Sequence, residues 1–183
     1  MLPPSAGAPT SAVTRPPNRL LQALPSAAYA QLHPLLETVE LTKETALADA
    51  GAPVQRVYFP HAGVVSMMVN LSDGQSVEIA TIGRDGIVGA SAALHERPPL
   101  ADAIVVVPGT ASVMRAEDFR EAANRSAEFR TLVALYEQAL MAQTQQSVAC
   151  NVSHPVEARL SRWLLRARDL CGSEALPLTQ EML

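Results

Sequence analysis

The residues able to do chemistry are few and scattered. Four histidines (His33, His61, His95, His154) and two cysteines (Cys150, Cys171) are the soft metal donors of the 183-residue chain. The cysteines have no metal-ligand spacing. His61 lies in a Pro-His-Ala-Gly turn and reads as a loop residue, and His154 precedes Pro155 and reads as a hinge or cap. No metal site or cofactor is expected. Cys150 has two readings: a redox-active thiol between two copies of the chain, or a small buried residue, which is the commoner use of a free cysteine. Gly83-Arg84-Asp85-Gly86, with Gly89, invites comparison with a phosphate cradle. Its spacing is neither that of a P-loop nor that of a dinucleotide fingerprint, so its glycines read as turn geometry. Arg159, Arg162, Arg166 and Arg168 could touch phosphates without reading sequence. A solvated helix face or an interface with a further domain accounts for them equally well, since Glu157 and Asp169 partly neutralise them. No Ser/His/Asp, Cys/His or paired-carboxylate arrangement stands out, so no enzyme is expected and no catalytic residue is named.

The elements that must position these groups centre on Ser126 to Asn151. This stretch has no Pro or Gly, and its apolar residues Phe129, Leu132, Val133, Tyr136, Ala139 and Leu140 recur with helical spacing. One helix of this length would run about 39 Å. Only Glu128, Arg130 and Glu137 carry charge in it, and Gln138 to Ser153 carries none. A helix that packs on one side only normally shows a charged face. The expectation is that it packs on its own domain and also meets an identical copy of itself; a core helix of an all-α domain is the plainer alternative. Gln143 to Ser147 interrupts any apolar run, so it does not read as a membrane span.

Glycine and proline divide the chain. Seven of the nine glycines lie between Gly51 and Gly109, and no proline lies between Pro108 and Pro155. That reads as a β domain followed by helices. Hydrophobic content is 48% but aromatic content only 4%, so the core must be built mainly from Val, Leu, Ile, Ala and Met. The net charge of −4 argues against a nucleic-acid surface spread over the whole chain. Residues 154–183 are neutral, so the chain grows relatively more basic towards its C-terminus. Met1 to Pro17, with five prolines and no apolar core of a signal peptide, reads as a disordered tail. The two cysteines fit a reducing compartment, and a cytoplasmic location is expected.

Asn18 is placed to cap a short helix through Leu24, and Ser26 a second one over Ala27 to His33. Strands are expected at Thr38–Thr42, Thr45–Ala48, Val54–Phe59 (stopped by Pro60), Val64–Leu71 and Ser76–Ile82. Ser72-Asp73-Gly74-Gln75 makes the clearest hairpin turn. In Ser76–Ile82, Val77, Ile79 and Thr81 should share one face and Glu78 the other. Ile87 to Leu94 should end in a helical turn, and Asp102–Val107 and Thr110–Arg115 are two more strands about Pro108-Gly109. About eight strands at short spacing predict a barrel, sandwich or jelly roll. Ala116 to Ala123 is a short helix. His154-Pro155 breaks the long helix, and Val156 to Cys171 is a further helix ended by Gly172. Thr179 looks like the N-cap of another.

With Val57 to Leu94 (VYFPHAGVVSMMVNLSDGQSVEIATIGRDGIVGASAAL) and His154 to Leu183 (HPVEARLSRWLLRARDLCGSEALPLTQEML), this order resembles the Crp/Fnr family of bacterial transcription regulators. The resemblance implies an α+β chain: an antiparallel β-roll of the jelly-roll, cyclic-nucleotide-binding-like kind, flanked by short helices. A dimerisation helix and the start of a winged helix-turn-helix domain would follow. The implied domains are 18–125 for the sensor roll, 126–151 for the dimer helix and 154–183 for the beginning of the DNA-binding domain, with a hinge at His154 and Pro155. Phe129, Leu132, Val133, Tyr136, Leu140, Gln143, Thr144 and Ser147 would supply the roll-facing and partner-facing surfaces of the helix. The implied partners are a second copy of the chain, DNA through the completed C-terminal domain and RNA polymerase, with no membrane. The family's recognition helix is not in these 183 residues. Its ligand cassette would fall at Val88, Gly89, Ala90, Leu94, Arg97, Ala101 and Asp102. Nucleotide-binding members hold ribose with a Gly-Glu pair and the cyclic phosphate with an Arg-Ser pair. Here Ala90 replaces the Glu, and Leu100-Ala101-Asp102 stands near the Arg-Ser position. The expectation is a degenerate pocket or one for a different ligand, with cyclic AMP not the effector. Two cysteines also fall short of the four that the cluster-bearing Fnr branch needs. A stand-alone ligand- or protein-binding module of the same fold, without DNA binding, is the alternative.

Overall fold

A computed structural model describes residues 14–171. Asn18 is buried and opens the fold. Its Oδ1 accepts from the Leu20 and Leu21 N–H groups at 3.1 Å each, capping α1 (Arg19–Ala23). Its Nδ2 donates to the Pro60 and Gly86 carbonyls at 2.9 and 3.0 Å. One side chain thus caps a helix and ties two turns of the roll to it. Helix α2 (Ser26–Leu32) begins at Ser26 itself, with Pro25 as its N-cap and no side-chain cap bond, so the expected Ser26 cap does not form.

Five strands follow among the described residues: β1 (Glu37–Leu41), β2 (Ala46–Ala48), β3 (Arg56–Asn70), β4 (Ser76–Ile82) and β5 (Asp102–Arg115). They form one antiparallel sheet ordered β1-β5-β3-β4, with β2 also on β5. The sheet curls but does not close, so a closed jelly-roll barrel is not formed. The seven expected strand segments become five because two proline breaks are bends, not ends, and Ile87 to Leu94 adds only an isolated bridge at Val88 before a helix. Pro60 stays inside β3 opposite Ala111, and the register slips at Pro60/Ala62, Ala62/Val64 and Val64/Val65. Proline is tolerated in a sheet at such bulges. Pro108 sits in β5 at the same bend. Gly63 (φ 89°) faces the Val107 carbonyl so closely that a Cβ would lie 2.6 Å from its oxygen. The hairpin between β3 and β4 forms as the sequence suggests, with Leu71 N–H donating to the Gln75 carbonyl at 2.7 Å.

Helix α3 (Ala90–His95) follows the Gly83–Gly86 turn, and α4 (Ala116–Arg125) follows β5. Helix α5 (Ala127–Ser153) is 27 residues long, and Ser126 Oγ caps it by accepting from Phe129 N–H at 3.1 Å. His154 is extended (φ −115°, ψ 146°) ahead of Pro155, which separates α5 from α6 (Val156–Cys171). No helix among the described residues is long and apolar enough to cross a membrane. The Gly172 cap and the Thr179 helix lie outside the described residues, as does most of the proline-rich tail.

Three apolar clusters hold the chain together. The largest joins α1 to α5 with Val57 and Phe59. In it Phe119 meets Phe129 edge-on at 5.3 Å and Phe59 at 6.2 Å. The second fills the roll with Leu41, Val65, Ile82, Val88, Ala103, Val105 and Ala111. The third seats α6 on the outside of the roll, where Ala167 and Leu170 pack on Val64 and Val107.

Candidate functional site

The segment expected to hold a ligand is built on a glycine turn. Gly89 has φ 85°, and a Cβ there would meet Val54 Cγ1 at 3.1 Å and the Arg56 carbonyl oxygen at 3.2 Å. Val88 is pinned to Tyr58 by two backbone bonds of 2.8 and 3.1 Å and turns its buried side chain into the roll. The Ala90 methyl is buried in the helical core, so this position offers no acceptor for a ribose. Leu94 packs partly buried on the same core, and Ala101 is buried. Arg97 is exposed and lines an outer cavity of about 240 Å³ beside Ala92, Glu96, Arg115 and Arg120. Asp102 is engaged within the fold. Its Oδ1 accepts from Ala50 N–H at 2.7 Å and its Oδ2 from Asn70 Nδ2 at 2.6 Å. It clasps the loop before β3 to the end of that strand. Of the seven residues, only Arg97 borders a described cavity.

Helix α5 presents two different faces. Phe129, Val133, Tyr136 and Ser147 are buried, and Leu132, Leu140, Gln143 and Thr144 are half-buried. All eight expected surface-forming residues therefore lie on the covered side of the helix. Tyr136 Oη donates to the Ile87 carbonyl at 2.8 Å, and burial pushes its pKa up. Gln143 Nε2 donates to the Thr81 carbonyl and hydroxyl oxygens at 3.3 Å each. Thr144 Oγ1 turns back to the Leu140 carbonyl at 3.0 Å. The outward side exposes Met141, Val148 and Val152 on one line, 60%, 55% and 85% exposed, with Leu135 (58% exposed) about a third of a turn away. Met141, Val148 and Val152 follow one another at seven and four residues, the repeat of a coiled-coil seam. That stripe is visible in the sequence, but only the packing shows which of two apolar stripes the roll takes.

Helix α6 makes a polar contact with the roll beside its apolar seat. Arg166 Nη1 and Nη2 donate to the two carboxylate oxygens of Asp85 at 2.7 and 3.3 Å. Arg84 Nε donates to the Asp169 carbonyl at 3.0 Å, and Arg162 Nη1 to Ser147 Oγ at 3.3 Å. Glu78, on the other face of β4 from Thr81, lies under α6. Val77 is exposed near the free tip of the hairpin. Glu78 accepts from Ser66 Oγ and from the Trp163 side chain, and burial raises its pKa despite them. A cavity of about 370 Å³ opens where roll, α5 and α6 meet, lined by Thr81, Asp85, Gly86, Tyr136, Gln143 and Arg166 among others.

Cys150 is buried and accepts from Gln146 Nε2 at 3.2 Å, while burial raises the pKa of Cys171. His61 is held between Ser112 Oγ (2.8 Å) and Thr110 Oγ1 (3.5 Å) on the strand pair. No cluster of His, Cys, Asp and Glu fit for a metal occurs among the described residues.

Residues 38–126 match the family model of the cyclic nucleotide-binding domain. This part of the chain is similar to a cyclic nucleotide-binding domain. Solved structures extend the likeness from the domain to the helices after it. A putative transcriptional regulator of the Crp/Fnr family from Eubacterium rectale aligns with TM-score 0.69 at 13% identity, over 89% of this chain and 76% of its own. The c-di-GMP responsive global regulator CLP of Xanthomonas campestris aligns with TM-score 0.65 at 12% identity, over 84% and 77%. The N-terminal domain of a transcriptional regulator from Streptomyces coelicolor aligns with TM-score 0.53 at 21% identity, over 72% and 94%. At these identities the solved structures establish the fold. Among curated proteins none matches the sequence. Domain match and fold together are consistent with the Crp/Fnr resemblance.

Proposed function

We propose that the chain is the sensor and dimerisation part of a Crp/Fnr-like transcription regulator whose signal is not cyclic AMP. In this reading residues 18–125 sense, 126–151 dimerise, His154 and Pro155 hinge, and residues from 154 onward begin a DNA-binding head that also meets RNA polymerase in the cytoplasm. The observation that carries it is the divided α5: one face spent on its own roll, the other exposing Met141, Val148 and Val152 at seam spacing. Six such side chains from two copies, already partly covered, give on the order of 6–12 kcal/mol when buried. Association costs about 4–15 kcal/mol. The two ranges overlap, so this stripe offsets the cost of association; micromolar strength needs a further net gain of about 8 kcal/mol from the rest of the interface. The ligand half of the reading rests on Ala90, which offers no acceptor, and on Arg97, which lies outside the roll.

Sedimentation velocity tests the dimer. The chain should sediment as a dimer at micromolar concentration, and Val148→Asp should sediment as a monomer with an unchanged far-ultraviolet spectrum. A monomeric parent chain would remove the dimerisation role and leave the stand-alone module.

A further inference from the structure

Helix α6 is bound to the roll differently from every other helix. Its fully buried apolar contribution is small, Ala167 and Leu170, with Trp163 partly buried beside them. That seat exists because residue 83 is glycine: a Cβ there would lie 2.6 Å from Leu170 Cβ. The rest of the contact is polar and costly. The Glu78 carboxylate is covered. Arg159 Nε, Arg162 Nε and Arg166 Nε are buried without a hydrogen-bond partner among the described residues, and burying such donors unpaired is unfavourable. Little apolar gain set against polar burial makes a weakly held contact. The tether fits this: α6 is joined to α5 through exposed, extended His154 and Pro155. The strongest polar tie is the two-pronged pair of Arg166 with Asp85, on the turn that also carries Gly83.

We propose that α6 is a latch: docked on its own roll in the resting chain, and released as a unit when the Asp85–Arg166 clasp opens. The roll stays folded when it leaves, because the other two clusters contain no α6 residue. A head that begins with α6 is then held back by the sensor surface itself. The signal needs only to reach the Gly83–Gly86 turn, which borders the 370 Å³ cavity. This deepens the regulator reading above, but the docking itself does not depend on dimerisation or on DNA.

Trp163 is the only tryptophan of the chain and lies in the docked surface, so its fluorescence reports docking directly. The full 183-residue chain is compared with Asp85→Asn, with Gly83→Val, and with the charge swap Asp85→Arg/Arg166→Asp. Asp85→Asn and Gly83→Val should red-shift the Trp163 emission and raise its acrylamide quenching at least twofold. Amide exchange at Val64 and Val107 should rise at least tenfold, while the rest of β3 and β5 keeps its protection. The charge swap should recover most of the parent emission. Unchanged emission in both single variants overturns the latch. So does a red shift accompanied by loss of protection throughout the roll, which would make α6 part of one folding unit. Sedimentation of the same samples separates failure of the latch from failure of the dimer.

Discussion

At the scale of single residues, close approach decides more than charge. A Cβ on Gly109 would overlap the Ala62 carbonyl oxygen across the β3–β5 pair. The obstacle is backbone, which cannot rotate away as a side chain can. Gly109→Ala should therefore destabilise the domain by about 2–3 kcal/mol or more, as overpacking does, read from the urea midpoint at constant slope. Glu78 works in the opposite sense. Burial, the largest influence on it, raises its folded-state pKa above the ordinary 4.5, against Ser66, Trp163 and Arg162, which lower it. A carboxyl with a raised folded pKa holds more protons folded than unfolded between the two pKa values. Its contribution to stability is therefore most favourable at low pH and falls as pH rises through that window. Glu78→Gln should flatten this decline and raise stability at neutral pH, measured by unfolding from pH 4 to 8. A variant no more stable at pH 7 than its parent would show that the carboxylate's bonds outweigh its burial.

At the scale of elements, α5 is fixed at its start by a cap and at its end by a proline. Ser126 accepts from Phe129 N–H while Phe129 inserts into the core. Ser126→Ala should cost about 1 kcal/mol and speed amide exchange in the first turn of α5 without altering its C-terminal half. The same helix shows what a sequence pattern leaves open. The spacing from Phe129 to Leu140 gives the helix and one of its stripes. Met141, Val148 and Val152 form a second, shorter stripe. Periodicity shows that two faces exist but not which neighbour each receives. The strands teach a related lesson. Pro60 and Pro108 read as ends because proline cannot donate to a ladder. They persist inside β3 and β5 because the two strands bend at the same place and do not need that donor there.

At the scale of the whole molecule, the sheet and the long helix enclose a core that small side chains already fill. Leu41, Val65, Ile82, Val88, Ala103, Val105 and Ala111 pack inside the roll. A ligand bound at one hundred times its dissociation constant would add about 2.7 kcal/mol to stability, several degrees in the midpoint for a domain of this size. Cyclic AMP at millimolar concentration should instead move the melting midpoint by less than about one degree in differential scanning fluorimetry. A shift of several degrees would show that the roll opens to the nucleotide and that Ala90 is no barrier.

Residue types, helical spacing and the Pro-Gly distribution by themselves determined much of the chain. They gave the Asn18 cap, the Asp73-Gly74 hairpin, the uninterrupted α5, the break at His154-Pro155 and the start of α6 at Val156. These are local consequences of backbone geometry and short-range bonds, legible within a few residues. Only the tertiary structure decided the partners. It paired Arg166 with Asp85, 81 residues away in the chain, and turned Glu78 under a helix. It spent Asp102 on a loop when a pocket was expected. It also let two prolines pass through continuous strands. Each of these depends on which surfaces meet, and the energy of such a meeting is shared between segments that no local pattern connects.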